Sequence, residues 1–312
     1  MLRIIKRLAE IGPRYGQKEL AAVAIIKEEL NSLKVSFQEE FFETSVPKMV
    51  EAELHADGDM IPCIGSSLKS GEIESGEYLI SALGYGGDER PFNISYSPIT
   101  DEISVMDFYS EPSVTVSRKS ILKISMAEKV NGAVKIEKEQ FTASNILIGN
   151  SDSPRNIVFA HYDSVIGDGA LDNAGAIGVI IEAVKDNLDL LRENLFVFAG
   201  NEEISYDDYK TKSGYGFRVF ETMHADIIKS AKQIIVIDGV GISEPSFLQS
   251  GLDWVLQLKC LEEIKDKVYW LQNDQDRVLE YFHTKADTID KLSEMHLQEA
   301  RVALIEKLMN RR

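Results

Sequence analysis

The sequence predicts an α/β fold with a mainly parallel central sheet flanked by helices and a β-rich inserted region. Three short apolar runs, residues 157–160, 195–199 and 234–237, are typical of strands that are buried on both faces. A stretch with helical spacing, residues 173–188, lies between the first two runs, and this alternation of strand and helix favours a parallel sheet. At residues 45–140 the pattern changes to short alternating segments separated by turn signals, which indicates the β-rich insertion.

The remaining helical patterns lie near the two ends of the chain. Residues 1–14 have the pattern of an amphipathic helix, and residues 18–33 and 297–309 carry apolar residues at the three-to-four spacing of a helix with one buried face. We therefore assign residues 1–44 and 141–312 to one α/β domain and residues 45–140 to the insertion.

Within the insertion, two segments alternate between polar and apolar residues as strands do, and one segment reads as a turn. The predicted strands are residues 113–116 and 133–136, and the turn is Gly-Tyr-Gly-Gly at residues 84–87.

Composition excludes several classes of protein. A chain of 312 residues with 44% hydrophobic content can bury one sizeable core and a smaller appendage. The net charge of −17 argues against a nucleic-acid partner, because phosphate binding requires a basic surface. No run is apolar for long enough to cross a bilayer, and residues 1–14 lack the continuous apolar stretch of a signal peptide. We therefore expect a cytoplasmic protein without a membrane partner.

The two cysteines are far apart and form no Cys-x-x-Cys pair. Cys63 and Cys260 therefore predict buried thiols, and neither a disulfide framework nor a thiolate zinc site.

Each of the three predicted strands runs directly into side chains that bind metals. His161 and Asp163 follow the first strand, Glu202 and Glu203 follow the second, and Asp238 follows the third. Taken singly, a His-x-Asp pair, a Glu-Glu step and a strand-end Asp are ordinarily a hydrogen-bonded pair, a solvated loop and a helix cap. Ligand sites in open α/β sheets form where strands reach their carboxyl ends, so the joint occurrence of these residues predicts a site at that edge.

Two further motifs complete the set. Asp172 lies in Gly-Ala-Leu-Asp-Asn-Ala-Gly at residues 169–175, on a predicted turn just before a helix. His283 lies near the carboxyl end and is followed shortly by Asp287 and Thr288.

Together these motifs resemble the zinc aminopeptidases of peptidase clan MH, which also includes glutamate carboxypeptidases and glutaminyl cyclases. The order in that family is His-x-Asp, Asp-Asn before a helix, Glu-Glu, a strand-end Asp, and a late His followed by Asp-Thr, and all five occur here in that order. The resemblance covers roughly residue 145 to the carboxyl end, and the amino-terminal helices also fit. It implies a phosphorylase/hydrolase-like fold and two Zn²⁺ ions, with Co²⁺ or Mn²⁺ as substitutes.

The resemblance also implies a role for each ligand. Asp172 would bridge the two metals, His161 and Asp238 would complete one site, and Glu203 and His283 would complete the other. Imidazole nitrogen and carboxylate oxygen are suitable zinc ligands, and co-catalytic metals lie about 3.5–4 Å apart, a distance that one carboxylate can span.

Three further carboxylates are expected to support the chemistry. Glu202 would be the general base that takes a proton from a water bridging the zinc ions, which leaves a hydroxide, and would deliver that proton to the leaving amine. Asp163 would orient the His161 imidazole. Asp287 would either support the loop of the late histidine or cap a helix.

The function predicted from this set is release of amino-terminal residues from peptides. The alternatives are another chemistry of the clan, as in a carboxypeptidase, a deacylase or a glutaminyl cyclase with a single zinc, and an inactive receptor-like relative. A carboxypeptidase needs a basic side chain for the terminal carboxylate, for which Arg218 and Lys285 are the nearest candidates, whereas the abundant acid near the motifs favours recognition of a free amine.

Other features of the sequence leave alternatives open. Four tyrosines near the motifs are candidate donors to the oxyanion: Tyr162, Tyr206, Tyr215 and Tyr281. Three histidines without ligand-type partners at useful spacing are interpreted as structural or solvated: His55, His224 and His296. The insertion occupies the place where several relatives carry a protease-associated domain, to which it has a weak likeness.

Overall fold

The computed structural model describes residues 1–73, 77–82 and 92–310. The chain divides into two compact units, the first comprising Met1–Thr44, Phe141–Val278 and Asp287–Arg312, and the second comprising Ser45–Gln140 and Leu279–Ala286. From the sequence, residues 279–286 were expected in the α/β domain. They group with the second unit because their backbone bonds within it: the Ser104 hydroxyl donates to the Phe282 carbonyl, and the Val105 N–H donates to the His283 carbonyl. The turn predicted at residues 84–87 lies outside the described residues.

The first unit is built on a central sheet whose middle is parallel. Its strands follow one another across the sheet in the order Ser246–Leu248, Val268–Gln272, Gln233–Ile237, Asn156–His161, Asn194–Ala199, Val130–Gly149 and Phe37–Ala56. The four strands from Val268–Gln272 to Asn194–Ala199 are parallel. Val130–Gly149 is antiparallel to Asn194–Ala199, and Ser246–Leu248 is antiparallel to Val268–Gln272. The mainly parallel α/β fold predicted from the sequence is confirmed.

The three apolar runs form the centre of this sheet because every residue of the first two strands is buried, as are four of the five residues in the third. Alternate side chains of each strand enter two separate cores. Val158 and Ala160 contribute to one core, and Ile157 and Phe159 contribute to the other. The Phe159 ring packs edge-on against Phe217 from a flanking helix, with centroids 5.5 Å apart. Strands covered on both faces in this way are apolar throughout, which explains why they were recognisable in the sequence.

Four of the longer helices of the first unit lie close to where the sequence predicts them: Leu2–Ala9, Glu19–Ser32, Gly175–Asp186 and Glu294–Met309. A further helix, Tyr215–Ser230, lies outside the helical patterns given above. The first and third approach closely at Gly178, where a Cβ would lie 2.5 Å from Ile5 Cγ1, so the contact requires glycine. Two apolar residues counted in the predicted helical patterns are exposed. Leu20, in the 18–33 pattern, is 54% exposed because it lies on the outer face of its helix, and Leu188, in the 173–188 pattern, is 52% exposed because the helix ends at Asp186.

The second unit has its own small core. Its described strands include Ser113–Val116, as predicted, which pairs with Cys63–Gly65 on one side and Asn93–Tyr96 on the other. Val114, Val116 and Ile94 are fully buried in this core. Cys260 is buried as expected, but Cys63 is only partly buried because its strand lies at the edge of this sheet.

Among the described residues, no helix has the length and apolar character required to cross a membrane.

Candidate metal centre

The three parallel strands bring their polar successors to one edge of the sheet. His161 is the last residue of Asn156–His161 and is opposite Ala199, so the strand before Glu202 and Glu203 ends level with it. Gln233–Ile237 pairs with the same strand on its other side, with Val236 opposite Phe159, and leads directly into Asp238. The parallel register therefore places these side chains at the same carboxyl edge.

Asp172 reaches this edge from a turn. Ala170–Ala174 lies directly before the helix Gly175–Asp186, and Asp172 departs from helical backbone angles at that point. The Asp287 carboxylate accepts the N–H groups of Leu171 at 2.7 Å and Asp172 at 3.1 Å. Asp287 therefore supports the Asp172 turn, a role that the sequence analysis did not assign to it.

A histidine and two carboxylates form a compact cluster. Ligand atoms of His161, Asp172 and Glu203 all lie within 4.8 Å of one another, and the three residues are buried. His161 Nε2 lies 3.1 Å from Asp172 Oδ1 and 3.7 Å from Asp238 Oδ2. Nitrogen and oxygen ligands of one tetrahedral Zn²⁺ lie roughly 3.3 Å apart, as follows from metal–ligand distances of about 2.0–2.2 Å. The spacing and the chemistry of these side chains therefore fit zinc.

Asp163 connects two of these residues. Its carboxylate is fully buried, with Oδ1 3.4 Å from His161 Nδ1, while Oδ2 accepts the Glu203 N–H at 2.9 Å. A carboxylate on the second imidazole nitrogen orients the ring and raises its basicity as a ligand. Asp163 contacts the side chain of one proposed ligand and the backbone of another, so it is a positioning residue.

The loop that carries Glu202 and Glu203 is held by residues that the sequence analysis missed. The Asn201 N–H donates to Glu19 Oε2 at 3.0 Å, and the Thr44 hydroxyl donates to Asn201 Oδ1 at 2.5 Å. Glu19 is fully buried at the start of its helix. A single glutamate in the first turn of a helix is ordinarily solvated and interacts with the helix dipole. The sequence therefore contained no signal for the contact between Glu19 and Asn201.

The cluster is rich in buried carboxyl groups. Buried carboxylates of the first unit lie on the elements that meet at this edge: Glu19, Asp163, Asp172, Glu202, Glu203 and Asp287. Burial, followed by the neighbouring carboxylates, raises the pKa of Glu202 well above its ordinary value, although His161 opposes this shift. Burial also lowers the pKa of His161, but its contacts with Asp163, Asp172 and Asp238 outweigh burial and raise it. Positive charge placed among these groups would favour their ionised forms, as expected at a cation site.

His283 belongs to the segment that groups with the second unit. Its Nδ1 lies 2.8 Å from the Val105 carbonyl oxygen, and its φ of +49° is in the left-handed region. Its role as a ligand stays a prediction.

The structure removes two candidate roles. Tyr162 is fully buried and donates to the Ser144 carbonyl at 2.7 Å, so its hydroxyl is committed away from the oxyanion role. Arg218 is 3% exposed and binds the Asp207 carboxylate and the Ser213 carbonyl, so its guanidinium is committed within the protein.

Two of the remaining histidines have partners typical of structural residues. His224 Nε2 lies 2.7 Å from Glu40 Oε1, and His296 Nδ1 lies 2.8 Å from Glu299 Oε2. Neither pair involves the cluster.

Replacing Asp163 with asparagine should lower the zinc affinity by about 10- to 100-fold, because the neutral amide no longer polarises His161. The measurement is zinc competition against a chromophoric chelator. Glu221→Gln is a matched control, since Glu221 is also a buried carboxylate that accepts two backbone N–H groups, those of Lys259 and Cys260. Equal zinc affinity in Asp163→Asn and in this control would contradict the proposed role of Asp163.

Comparisons with known proteins give a family match for part of the chain and a shared fold. A family model described as peptidase family M28 matches residues 146–252. A zinc aminopeptidase from Bacillus subtilis superposes with a TM-score of 0.69 at 17% identity, covering 97% of this chain and 92% of that chain. An aminopeptidase from Aneurinibacillus sp. strain AM-1 has a TM-score of 0.64 at 16% identity and covers 96% of this chain and 90% of that chain.

A glutaminyl cyclase has the same fold. The enzyme from Porphyromonas gingivalis superposes with a TM-score of 0.54 at 14% identity, covering 98% of this chain and 95% of that chain. Comparison of the sequence with curated proteins gave no match. The family model therefore matches the part of the chain that carries His161, Asp172, Glu203 and Asp238, and the fold of these structures is shared over nearly the whole chain.

Proposed function

We propose that this chain is a zinc-dependent aminopeptidase that removes amino-terminal residues from peptides. The observation that carries the proposal is the buried cluster of His161, Asp172 and Glu203, with Glu202 directly before one of its carboxylates. The family match supports a hydrolase, and two aminopeptidases share the fold.

In the proposed site five residues would hold two zinc ions: His161, Asp172, Glu203, Asp238 and His283. Asp172 would bridge the two ions, His161 and Asp238 would complete one site, and Glu203 and His283 would complete the other. The ions, when bound, supply Lewis acidity that polarises the scissile carbonyl and lowers the pKa of the attacking water.

Glu202 is the proposed general base. Its carboxylate accepts a proton from the water that attacks the carbonyl and returns it to the nitrogen that leaves. Burial, followed by the neighbouring carboxylates, raises the pKa of Glu202 above its ordinary value, which is the direction that suits a group that must both accept and donate a proton. Glu202 must stay off the metal for this role, while its neighbour Glu203 binds it.

The choice of an aminopeptidase over a carboxypeptidase rests on charge. A terminal carboxylate requires a basic partner, and Arg218, one of the two nearest candidates in the sequence, is committed to Asp207 and Ser213. The buried groups beside the cluster are predominantly carboxylates, which suit a substrate ammonium group.

The test is hydrolysis of a panel of substrates by the purified protein with added Zn²⁺ or with a chelator. The panel contains aminoacyl substrates with a chromogenic leaving group, the same substrates blocked at the amino group, and peptides with a free carboxyl end. Release from free-amine substrates only, with loss in chelator, is the expected result. Release only from the carboxyl end or only from blocked substrates would overturn the aminopeptidase proposal.

A glutaminyl cyclase is the second candidate, because such an enzyme shares the fold over nearly the whole chain. Peptides that begin with glutamine separate the two, since cyclisation releases ammonia and leaves the peptide uncleaved. Ammonia release together with one bound zinc per chain would favour the cyclase, whereas amino acid release with two bound zinc ions favours the aminopeptidase.

A further inference from the structure

We propose that Arg14 is a positioning residue that assembles the metal centre, because it ties together the two chain segments that present His161 and Asp172. The inference rests on the zinc site of the proposed function. Arg14 belongs to an amino-terminal segment. Within the described part of the chain, its side chain donates hydrogen bonds to backbone carbonyls of residues other than the proposed ligands.

The Arg14 side chain bonds to both segments at once. It is fully buried, and Nε donates to the carbonyl of Tyr162, the residue after His161, at 2.8 Å. Nη2 donates to the Gly169 carbonyl at 2.9 Å, and Nη1 donates to the Asp168 carbonyl. Gly169 directly precedes the turn that carries Asp172. One planar guanidinium therefore sets the spacing between the segment after His161 and the segment before Asp172.

The backbone of Arg14 strengthens this connection. Its N–H donates to the Ser164 carbonyl at 2.8 Å, and the Ser164 N–H donates back to the Arg14 carbonyl at 3.3 Å, which forms an antiparallel bridge. Gly169 has a φ of +56°, and a Cβ there would lie 2.3 Å from Ser164 Oγ and 2.7 Å from Arg14 Nη2. The packing therefore leaves no room for a side chain at residue 169 beside the guanidinium.

The charge of Arg14 affects metal binding in the opposite direction from its geometry. Arg14 has attractive electrostatic interactions with Asp287, Asp163, Glu203 and Asp172. A fixed positive charge near these carboxylates opposes the entry of a divalent cation, so its removal alone should strengthen zinc binding. Loss of the connection between the segments should instead weaken zinc binding, because the ligands would no longer be held in place. The two effects therefore have opposite signs and can be separated.

The experiment compares Arg14→Lys and Arg14→Gln with the wild-type protein. Lysine keeps the charge but cannot reproduce the planar fork, and glutamine removes the charge as well. Zinc affinity and stoichiometry are measured by chelator competition at a temperature well below unfolding, and the absorption spectrum of the Co²⁺-loaded protein reports the ligand geometry. Arg155→Lys is the control, because Arg155 is a partly buried arginine beside Asn156, at the opposite end of the strand that ends in His161.

We expect both Arg14 variants to lose about 10- to 100-fold in zinc affinity, the range found when residues that support metal ligands are replaced. The Co²⁺ spectrum should change in both variants and stay unchanged in Arg155→Lys. Tighter zinc binding by Arg14→Gln would show that Arg14 acts through its charge, and would overturn the proposal. Lower thermal stability with unchanged affinity and spectrum would show a purely structural role, and would overturn it as well.

If the Arg14 variants fail to fold, Gly169→Ala provides a second test, because the added Cβ displaces Nη2 while the arginine stays. It should also weaken zinc binding, and unchanged affinity in this variant would contradict the proposal. Failure of the wild-type protein to bind zinc would overturn the proposed function and this inference together. Equal binding by wild type and Arg14→Lys would overturn the inference alone.

Discussion

Glu202→Gln should reduce kcat by about 10²- to 10⁴-fold, the range for removal of a general base, while the zinc content stays unchanged. Glutamine has nearly the same shape as glutamate but cannot accept a proton. Glu202 is buried, so bulk water should not replace it as the proton acceptor. Because binding of the substrate ground state does not require proton transfer, KM should change far less than kcat.

The measurement is steady-state kinetics on an aminoacyl chromogenic substrate, together with metal analysis of the same protein samples. Glu221→Gln is again the matched control, since it is also a buried glutamate changed to the isosteric amide. Full activity in Glu202→Gln would assign the base to another residue. Loss of zinc in Glu202→Gln would show instead that Glu202 is a metal ligand.

Asp172→Asn should lower zinc affinity by more than about 100-fold, which exceeds the loss expected for residues that only support ligands. Asp172 is the proposed bridge between the two ions, so its replacement affects both sites at once. Its Oδ1 lies 3.1 Å from His161 Nε2, and its position is held through its backbone N–H, which the substitution leaves in place. The turn should therefore keep its structure while the site loses its shared ligand.

Thermal unfolding with and without zinc gives a second measure of the same change. A ligand present at 100 times its Kd stabilises the folded state by about 2.7 kcal/mol, so zinc should raise the Tm of the wild-type protein and leave that of Asp172→Asn nearly unchanged. In chelator the Tm of Asp172→Asn should exceed that of the wild-type protein, because the variant has one carboxylate fewer among closely spaced buried carboxylates. An equal zinc-induced shift in both proteins would exclude Asp172 as the bridging ligand.

Much of the fold was predictable because its signals are local. The central strands are apolar at every position, and the flanking helices repeat apolar residues at a spacing set by their own geometry. The motifs at the strand ends were predictable for a related reason, since parallel strands deliver their carboxyl ends to one edge. The convergence of His161, Asp172 and Glu203 follows from that rule, with a turn supplying the residue that no strand provides.

The supporting contacts were not predictable, because each joins residues that are distant in sequence. Glu19 and Asn201 are 182 residues apart, and Arg14 and Gly169 are 155 apart. Glu19 and Arg14 lie in the amino-terminal part of the chain, where a charged residue ordinarily indicates a solvated face. Asp287 was expected either to support the loop of the late histidine or to cap a helix. Its carboxylate instead accepts the N–H groups of Leu171 and Asp172, which are also distant in sequence.

By itself the sequence determined the class of fold, the buried strands and the order of the proposed metal-binding motifs, because composition, periodicity and spacing along the chain express them directly. Only the tertiary structure decided which carboxylates support the site and that the guanidinium of Arg14 lies near them. It also showed that Tyr162 and Arg218 are committed elsewhere. The physical reason is that a buried polar group takes whatever partner the packing brings within hydrogen-bond distance, and no property of the residue in its own segment specifies that partner.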